Sequence, residues 1–321
     1  MRMRIGIVGA GISGLACAQG LVRRGHDVVL FDKGRGPGGR MSTRRVPTAR
    51  GEAHFDHGAQ YFTAREGAFS QQVSAWIDDG VVAPWPAAGI GAYVGVPAMN
   101  SPVRRLAEGR DVQWSARVTE LARRGAGWRL SIDGGEEADI DLAVIAVPAE
   151  QAAALLAVLA PDLASRAAAA ISEPCWTVMA AFAQPVPVAQ DCWRADDGEV
   201  DRGHGVVGWA ARNNAKPGRT GPESWVIQAT PAWSRDRIDA DPDEVVCALL
   251  AALASELDAQ LPTRIGTASH LWRFARSAQG GSGPVLEPDR LGACGDWLIG
   301  PRVESAWLCG MRLAEMIGAA G

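Results

Sequence analysis

The sequence predicts an α/β fold: a parallel sheet with helices on its faces, interrupted by an inserted α+β unit built on an antiparallel sheet. Three observations predict it. The chain opens with a short apolar strand, a glycine turn, a helix and a second apolar strand ending on an acid, all within Arg4 to Asp32. A wholly apolar run from Leu142 to Val147, stopped by Pro148, has the composition of a parallel strand buried on both faces. Between them and the C-terminus, Trp176–Phe182, Val206–Ala210 and Trp225–Thr230 alternate with the period of antiparallel strands.

The opening unit carries the most chemistry. Its turn reads Gly9-Ala10-Gly11-Ile12-Ser13-Gly14. Gly9 permits the sharp exit from the strand, Gly11 lets backbone approach a pyrophosphate, and Gly14 lets the helix lie close to the sheet. The helix start, with Ile12 and Ser13, presents free N–H groups and positive dipole to phosphate. Asp32 can accept hydrogen bonds from a ribose diol, and its charge would repel a 2′-phosphate. Together these are the fingerprint of a Rossmann-type site for the ADP half of a dinucleotide. A second match, Gly203-His204-Gly205-Val206-Val207-Gly208, follows a charged stretch and has no trailing acid, so it reads as a glycine-rich turn into a strand.

Lys33 follows the acid, and Gly34 to Arg40 is too glycine-rich for a regular element. Within that loop Gly38-Gly39-Arg40 places a guanidinium beside a tight turn, which suits bidentate contact with a pyrophosphate. Ala68–Asp79 reads as an amphipathic helix. Ser101–Glu108 reads as another, with Ser101 able to cap it and Pro102 at its first position. Two short strands are expected within Val112–Leu121 and one at Trp128–Ile132. An alanine-rich helix starts near Glu150, and Pro242–Leu261 is a long amphipathic helix. His270–Ala275 is a further strand candidate, and Leu291–Asp296 leads into a helix from about Glu304 to Ile317. The nucleotide domain is therefore discontinuous: residues 1–65, 101–150 and 285–321, with 66–100 and 151–284 forming a substrate domain.

At 321 residues, 47% of them apolar, the chain can bury a substantial core. A net charge of −4 without a basic run argues against nucleic acid as a partner. No apolar run reaches membrane-spanning length, and the apolar N-terminus is used up as strand, turn and helix rather than as a signal peptide. Six dispersed cysteines without a CxxC pair suggest reduced thiols in the cytoplasm. A monomer or weak dimer is expected. Lys33 and Lys216 are the only lysines, and twelve tryptophans stand against two tyrosines, Tyr61 and Tyr93.

The fingerprint, Gly38-Gly39-Arg40 and the terminal Gly295-Asp296 with its helix resemble the flavin amine oxidase superfamily over essentially the full chain. Phe55-Asp56-His57-Gly58-Ala59-Gln60-Tyr61-Phe62-Thr63 and Leu271-Trp272-Arg273 are similar to its renalase-like group. The resemblance implies FAD. It places Asp296 on the ribityl or pyrophosphate part, where the same acid could equally cap a helix. It also aims the last helix, from Val303 to Ser305, at the flavin edge that turns negative on reduction. Val118 takes the place of a backbone contact to adenine, or is a core valine. The 57–61 loop (His57, Gly58, Ala59, Gln60, Tyr61) should pass the flavin; a structural role for His57 is an equal alternative.

The resemblance also marks departures. The equivalent stretch here, Arg302-Val303-Glu304-Ser305-Ala306, has no cysteine to link the flavin, so FAD should be non-covalent. Neither Lys33 nor Lys216, the latter in a Pro/Gly loop, sits on a promising strand for a lysine near flavin N5, and two tyrosines are few for an aromatic amine cage. The renalase-like group implies oxidation of a 2- or 6-dihydro-NAD(P) isomer to NAD(P)⁺, with O₂ reduced to H₂O₂. A flavin amine oxidase or desaturase-type oxidoreductase acting on another small organic substrate is the alternative. Trp272 matches a pocket aromatic of the group. Trp209 and Gln228 could complete the pocket, although any single tryptophan here has a core role as its default. His270 lies two residues from Trp272 and so faces the same way. Asn100 and Met99 are weaker candidates. No acid or base catalyst is expected, because re-aromatising a pyridinium drives hydride transfer and the protein supplies orientation.

Overall fold

A computed structural model describes residues 1–195, 205–277 and 280–320. Gly203 and His204 of the second glycine match, and the charged stretch before them, lie outside these residues. The opening strand Arg4–Val8 is central in a six-stranded sheet, between Asp27–Asp32 on one side and Leu142–Ile145 on the other. Asp111–Trp114 extends the first side; Leu291–Ala293, then the antiparallel Val285–Glu287, extend the second. Consecutive strands thus depart to opposite sides of Arg4–Val8, and a crevice opens beyond its C-terminal end, where such sheets bind ligands.

The helix Ile12–Arg23 covers one face of this sheet together with the last helix, Val303–Ala320. Their contact is close: a Cβ on Gly310 would lie 2.1 Å from the Ser13 carbonyl oxygen. Phe69, Val73 and Trp76 of the helix Gly67–Asp78 bury in the same core.

The second sheet is antiparallel, in the order Cys192–Arg194, Val207–Arg212, Glu223–Ala229, Ser172–Phe182 and Arg264–Ser277. Period-two alternation gives it two apolar faces. Trp176, Val178, Phe182, Trp225 and Ile227 bury against the helix Pro242–Glu256. Met179, Ala181 and Val226 bury against the hairpin Thr43–Thr48 and Gly51–Asp56, through Val46, Ala53 and Phe55.

Several boundaries differ from expectation. The strand seen in sequence at 270–275 runs from Arg264 to Ser277, because its weakly patterned first half is held by pairing with Ser172–Phe182. The alanine-rich helix is two, Ala149–Leu156 and Pro161–Ala169, since Pro161 cannot continue the first. Ser101 is the first residue of its helix and Asn100 the cap, without a side-chain capping bond. Among the described residues, no helix is long and apolar enough to cross a membrane.

Candidate cofactor and substrate site

At the crevice, the fingerprint turn is built as its glycines require. A Cβ on Gly14 would lie 2.0 Å from the Gly9 carbonyl oxygen, and Gly9 itself has φ +106°. Gly11 caps the helix Ile12–Arg23 with no side-chain bond, so its first N–H groups stay available to an anion. A Cβ on Gly11 would meet nothing within 4 Å, and one on Gly39 would meet only the Gly11 Cα, at 3.8 Å. Two backbones without side chains thus face each other across an open cradle. The Ser13 hydroxyl beside it is buried without a partner.

Asp32 is tied locally. Its carboxylate accepts the Ala10 and Gly34 N–H groups, each at 2.7 Å, and so joins the fingerprint to the second glycine loop. Each oxygen retains lone-pair capacity for a ribose diol. Ala116 N–H bonds the Asp32 carbonyl at 2.9 Å, which brings the chain before Val118 beside this strand end. Lys33 bonds Gln151 at 3.2 Å, at the surface.

Arg40 reaches across the crevice to Asp296 in a bidentate pair, Nη1–Oδ2 2.8 Å and Nη2–Oδ1 2.5 Å. Burial opposes the charge on Arg40, but Asp296 outweighs it and raises its pKa. The pairing matters for a phosphate ligand: an unneutralised Asp296 would repel it, whereas the ion pair presents guanidinium edge without net negative charge. At the start of the last helix, Glu304 accepts the Arg65 and Glu66 N–H groups at 2.6 and 2.7 Å, fixing this helix end, with Val303 and the buried Ser305, against the chain before Gly67–Asp78.

The 57–61 turn is the joint between the two sheets. Ala59 N–H bonds the Arg40 carbonyl at 2.8 Å, and a Cβ on Gly58 would lie 2.0 Å from that same oxygen. From the second sheet, Trp272 Nε1 donates to the His57 carbonyl and Gln228 Nε2 to the Gly58 carbonyl, both at 2.8 Å. His57, His270 and Trp272 pack ring to ring: centroids are 4.5 Å apart for His270–Trp272, 5.0 Å for His57–Trp272 and 5.2 Å for His57–His270. Burial, then His270 and the Arg44 charge, pull His57 down to about 4; burial and Arg44 lower His270. His57 Nδ1 is buried without a partner.

Strand register aligns the pocket candidates. Arg194 pairs with Trp209, Trp209 with Gln228, Gln228 with Thr177 and Thr177 with His270. These five residues form one row across the second sheet, on the face toward the 57–61 turn, with Trp272 and its partner Cys175 one repeat along. Trp209, Gln228, His270 and Trp272 are residues the sequence singles out; Thr177 and Arg194 are not among them. Asn100 is not in this row: its amide donates to the Pro37 carbonyl at 3.1 Å, which ties it to the glycine loop, and its Oδ1 is buried without a partner.

Behind the 57–61 turn lies the Gln60 side chain. Its Nε2 bonds the Gly58 carbonyl at 3.0 Å and its Oε1 accepts from Lys216 Nζ at 3.0 Å, so it braces the turn from behind. Lys216, unpromising in sequence, is fully buried there. Its ammonium lies 3.4 Å from Asp56, whose Oδ2 also takes Arg219 Nη2 at 2.6 Å. Burial pushes Asp56 up, but Lys216 and Arg219 override it and hold it at about 2; burial drives Lys216 down to about 8 despite Asp56. The only sequence signal for this knot was the rarity of lysine.

These residues fit a flavin dinucleotide: an uncapped helix end, a side-chain-free cradle, an acid at the second strand's tip and a guanidinium at the crossing. Surface hollows of about 280 and 390 Å³ share no residue with this crevice. Residues 7–79 match the NAD(P)-binding Rossmann-like domain, and residues 85–293 match the flavin containing amine oxidoreductase family. The chain belongs to the flavin containing amine oxidoreductase family. Membership brings FAD as cofactor and oxidoreduction as the class of chemistry.

Other members of this broad group resemble it unevenly. The zeta-carotene-forming phytoene desaturase of Myxococcus xanthus is 51% identical over 43 residues, 13% of this chain. A 4,4'-diapophytoene desaturase of Staphylococcus haemolyticus is 52% identical over 40 residues, 12% of this chain. Each match spans only 8% of the desaturase. A structure assigned as a protoporphyrinogen oxidase from Exiguobacterium sp. 255-15 superposes with a TM-score of 0.74 at 13% identity, covering 99% of both chains. Putrescine oxidase bound to putrescine gives 0.62 at 14%, again covering 99% of both. At such identity the likeness is one of fold.

Proposed function

We propose that this protein is a renalase-like, FAD-dependent oxidase that converts a 2- or 6-dihydro isomer of NAD(P) to NAD(P)⁺ with O₂ as electron acceptor. The observation that carries the reading is the row Trp209–Gln228–Thr177–His270 with Trp272, which sets aromatic faces and an amide opposite the Gly58 turn. A flat ring bearing a carboxamide is complementary to such a surface: the aromatics stack it, and the Gln228 oxygen can accept from its amide.

The same site is poorly suited to an amine. The two tyrosines pack on different partners and not on each other: Tyr61 on Trp209 at 5.3 Å and Tyr93 on Phe62 at 6.0 Å. Asp56 and Asp296 are neutralised by their cations, while Arg44 and Arg194 face this side of the sheet. A protonated amine would meet net positive charge. FAD, when bound, supplies the two-electron acceptor. The chain's part is orientation and exclusion of water, and His57 and His270, both held neutral at pH 7, add no charge beside the ring. Rearomatisation makes a strong base unnecessary, which agrees with a pocket row that carries no carboxylate.

Anaerobic mixing with candidate reductants tests this. Fast loss of the visible flavin absorbance with 6-dihydro-NAD, and slow loss with ordinary NADH or benzylamine, is expected. Preferential reduction by an amine would overturn the reading.

A further inference from the structure

We propose that Arg194, packed against both Tyr61 and Trp209 at the end of the pocket row, is a subsite for the phosphate of the substrate. The inference rests on the dihydronicotinamide reading and names what that reading leaves open: which part of the nucleotide is recognised away from the reacting ring.

The geometry makes the case. The Arg194 guanidinium carbon lies 5.1 Å from the Trp209 ring centroid and 5.9 Å from that of Tyr61, and Nη2 bonds the Tyr61 hydroxyl at 2.5 Å. Two aromatic neighbours, one of them also bonded through its phenol oxygen, restrain the fork and reduce the side-chain freedom to be lost on binding an anion. Because the Tyr61 oxygen accepts from Arg194, its own proton is free to be donated outward. Trp209 Nε1 is buried with no acceptor among the described residues. Guanidinium and phenol are thus two donors at one spot, a composition suited to phosphate oxygens.

Spacing fits as well. Arg194 is two strands from Gln228 in the same row, a separation of roughly 10 Å at ordinary sheet spacing. That is about the span from the carboxamide of a nicotinamide mononucleotide to its 5′-phosphate, so one ligand can touch Gln228 and Arg194 across Trp209, which lies between them in the row.

The test uses the FAD holoenzyme titrated with oxidised nicotinamide mononucleotide and, separately, with nicotinamide riboside, which lacks only the phosphate. Binding is read from the perturbed flavin spectrum. The wild type should hold the mononucleotide at least about tenfold more tightly. Arg194→Ala should weaken the mononucleotide roughly 10- to 100-fold and leave the riboside unchanged, which also shows the variant is folded. Arg194→Lys should recover part of the loss, keeping charge without the fork. An equal loss for both ligands, an unchanged mononucleotide affinity, or no binding of either ligand to the wild type would overturn the subsite. Anaerobic reduction by 6-dihydro-NAD is measured on the same preparations. No reduction of the wild type would refute the substrate reading while a phosphate-dependent titration stood; reduction with a flat titration would do the reverse.

Discussion

Lys216 and Arg219 both reach the buried carboxylate of Asp56, and their removal should have unequal consequences. Arg219 makes the shorter contacts, Nη2 at 2.6 Å and Nε at 3.2 Å, against 3.4 Å for Lys216. Arg219→Met leaves Asp56 with one distant cation and frees two carbonyl partners, at Gly95 and Pro217. A buried charge stripped of its principal partner costs about 3–5 kcal/mol. Lys216→Met leaves the Arg219 pair whole. It removes a donor from Gln60 Oε1, at about 1–3 kcal/mol. Against that, the ammonium is held at about 8 rather than 10.5, so keeping it charged at pH 7 already costs roughly 3 kcal/mol. The two effects nearly offset, and Lys216→Met should cost less than about 2 kcal/mol. Urea unfolding at fixed excess FAD measures both variants, with the slope m checking that the unfolded states are comparable. The pH dependence supplies a second readout. Between pH 8 and 10.5 the folded wild type has lost the Lys216 proton that the unfolded chain retains, so its stability relative to Lys216→Met should rise across that window. Equal costs for the two variants, or no relative rise with pH, would refute this account of the ionic knot.

Two further outcomes are expected. Asp32→Asn should weaken FAD retention roughly 10- to 100-fold, measured by equilibrium release, because a charge-assisted bond to ribose is lost; unchanged affinity would leave the acid as a clamp between Ala10 and Gly34 only. Gly58→Ala should destabilise the holoenzyme by about 1–3 kcal/mol in the same unfolding assay and impair FAD retention, since its Cβ cannot share space with the Arg40 carbonyl; wild-type behaviour would mean that the turn and the Arg40 loop separate easily.

How much of this was legible in the sequence follows from how far each signal reaches along the chain. The fingerprint turn is local: Gly9, Gly11, Gly14 and Asp32 lie within one strand–helix–strand unit, and its chemistry is dictated by backbone geometry there. Trp272 was singled out by the resemblance, His270 because it lies two residues away on the same strand, and Trp209 and Gln228 because they fall on expected strands. That they form one row was not legible, since it depends on register between strands far apart in sequence. The hairpin 43–56 escaped notice for a related reason. Its sequence is polar with a central Pro47, and only one face, Val46, Ala53 and Phe55, is apolar, matched to a face of the second sheet whose strands lie far away in sequence.

Lys216 shows what a charge-based reading of loops misses. A cation between Pro and Gly residues reads as solvated, and nothing local says that Asp56 and Gln60, some 160 residues earlier, will bury it. Yet lysine occurs at two positions in a chain whose other cations are arginine, and the slot explains why an ammonium suits this one. Arg219 already brings Nε and Nη2 to Asp56 Oδ2, and Thr43 and the Met99 N–H occupy Oδ1. The remaining space, between Gln60 Oε1 and the Trp85 ring 5.4 Å away, takes a compact point charge. A second guanidinium would bring a fork with no carboxylate left to match it, and it could not shed its proton as the buried ammonium can. The 57–61 turn is thus held from behind by a group whose charge is adjustable and from the front by Trp272 and Gln228. That leaves its backbone fixed at the joint between the two sheets.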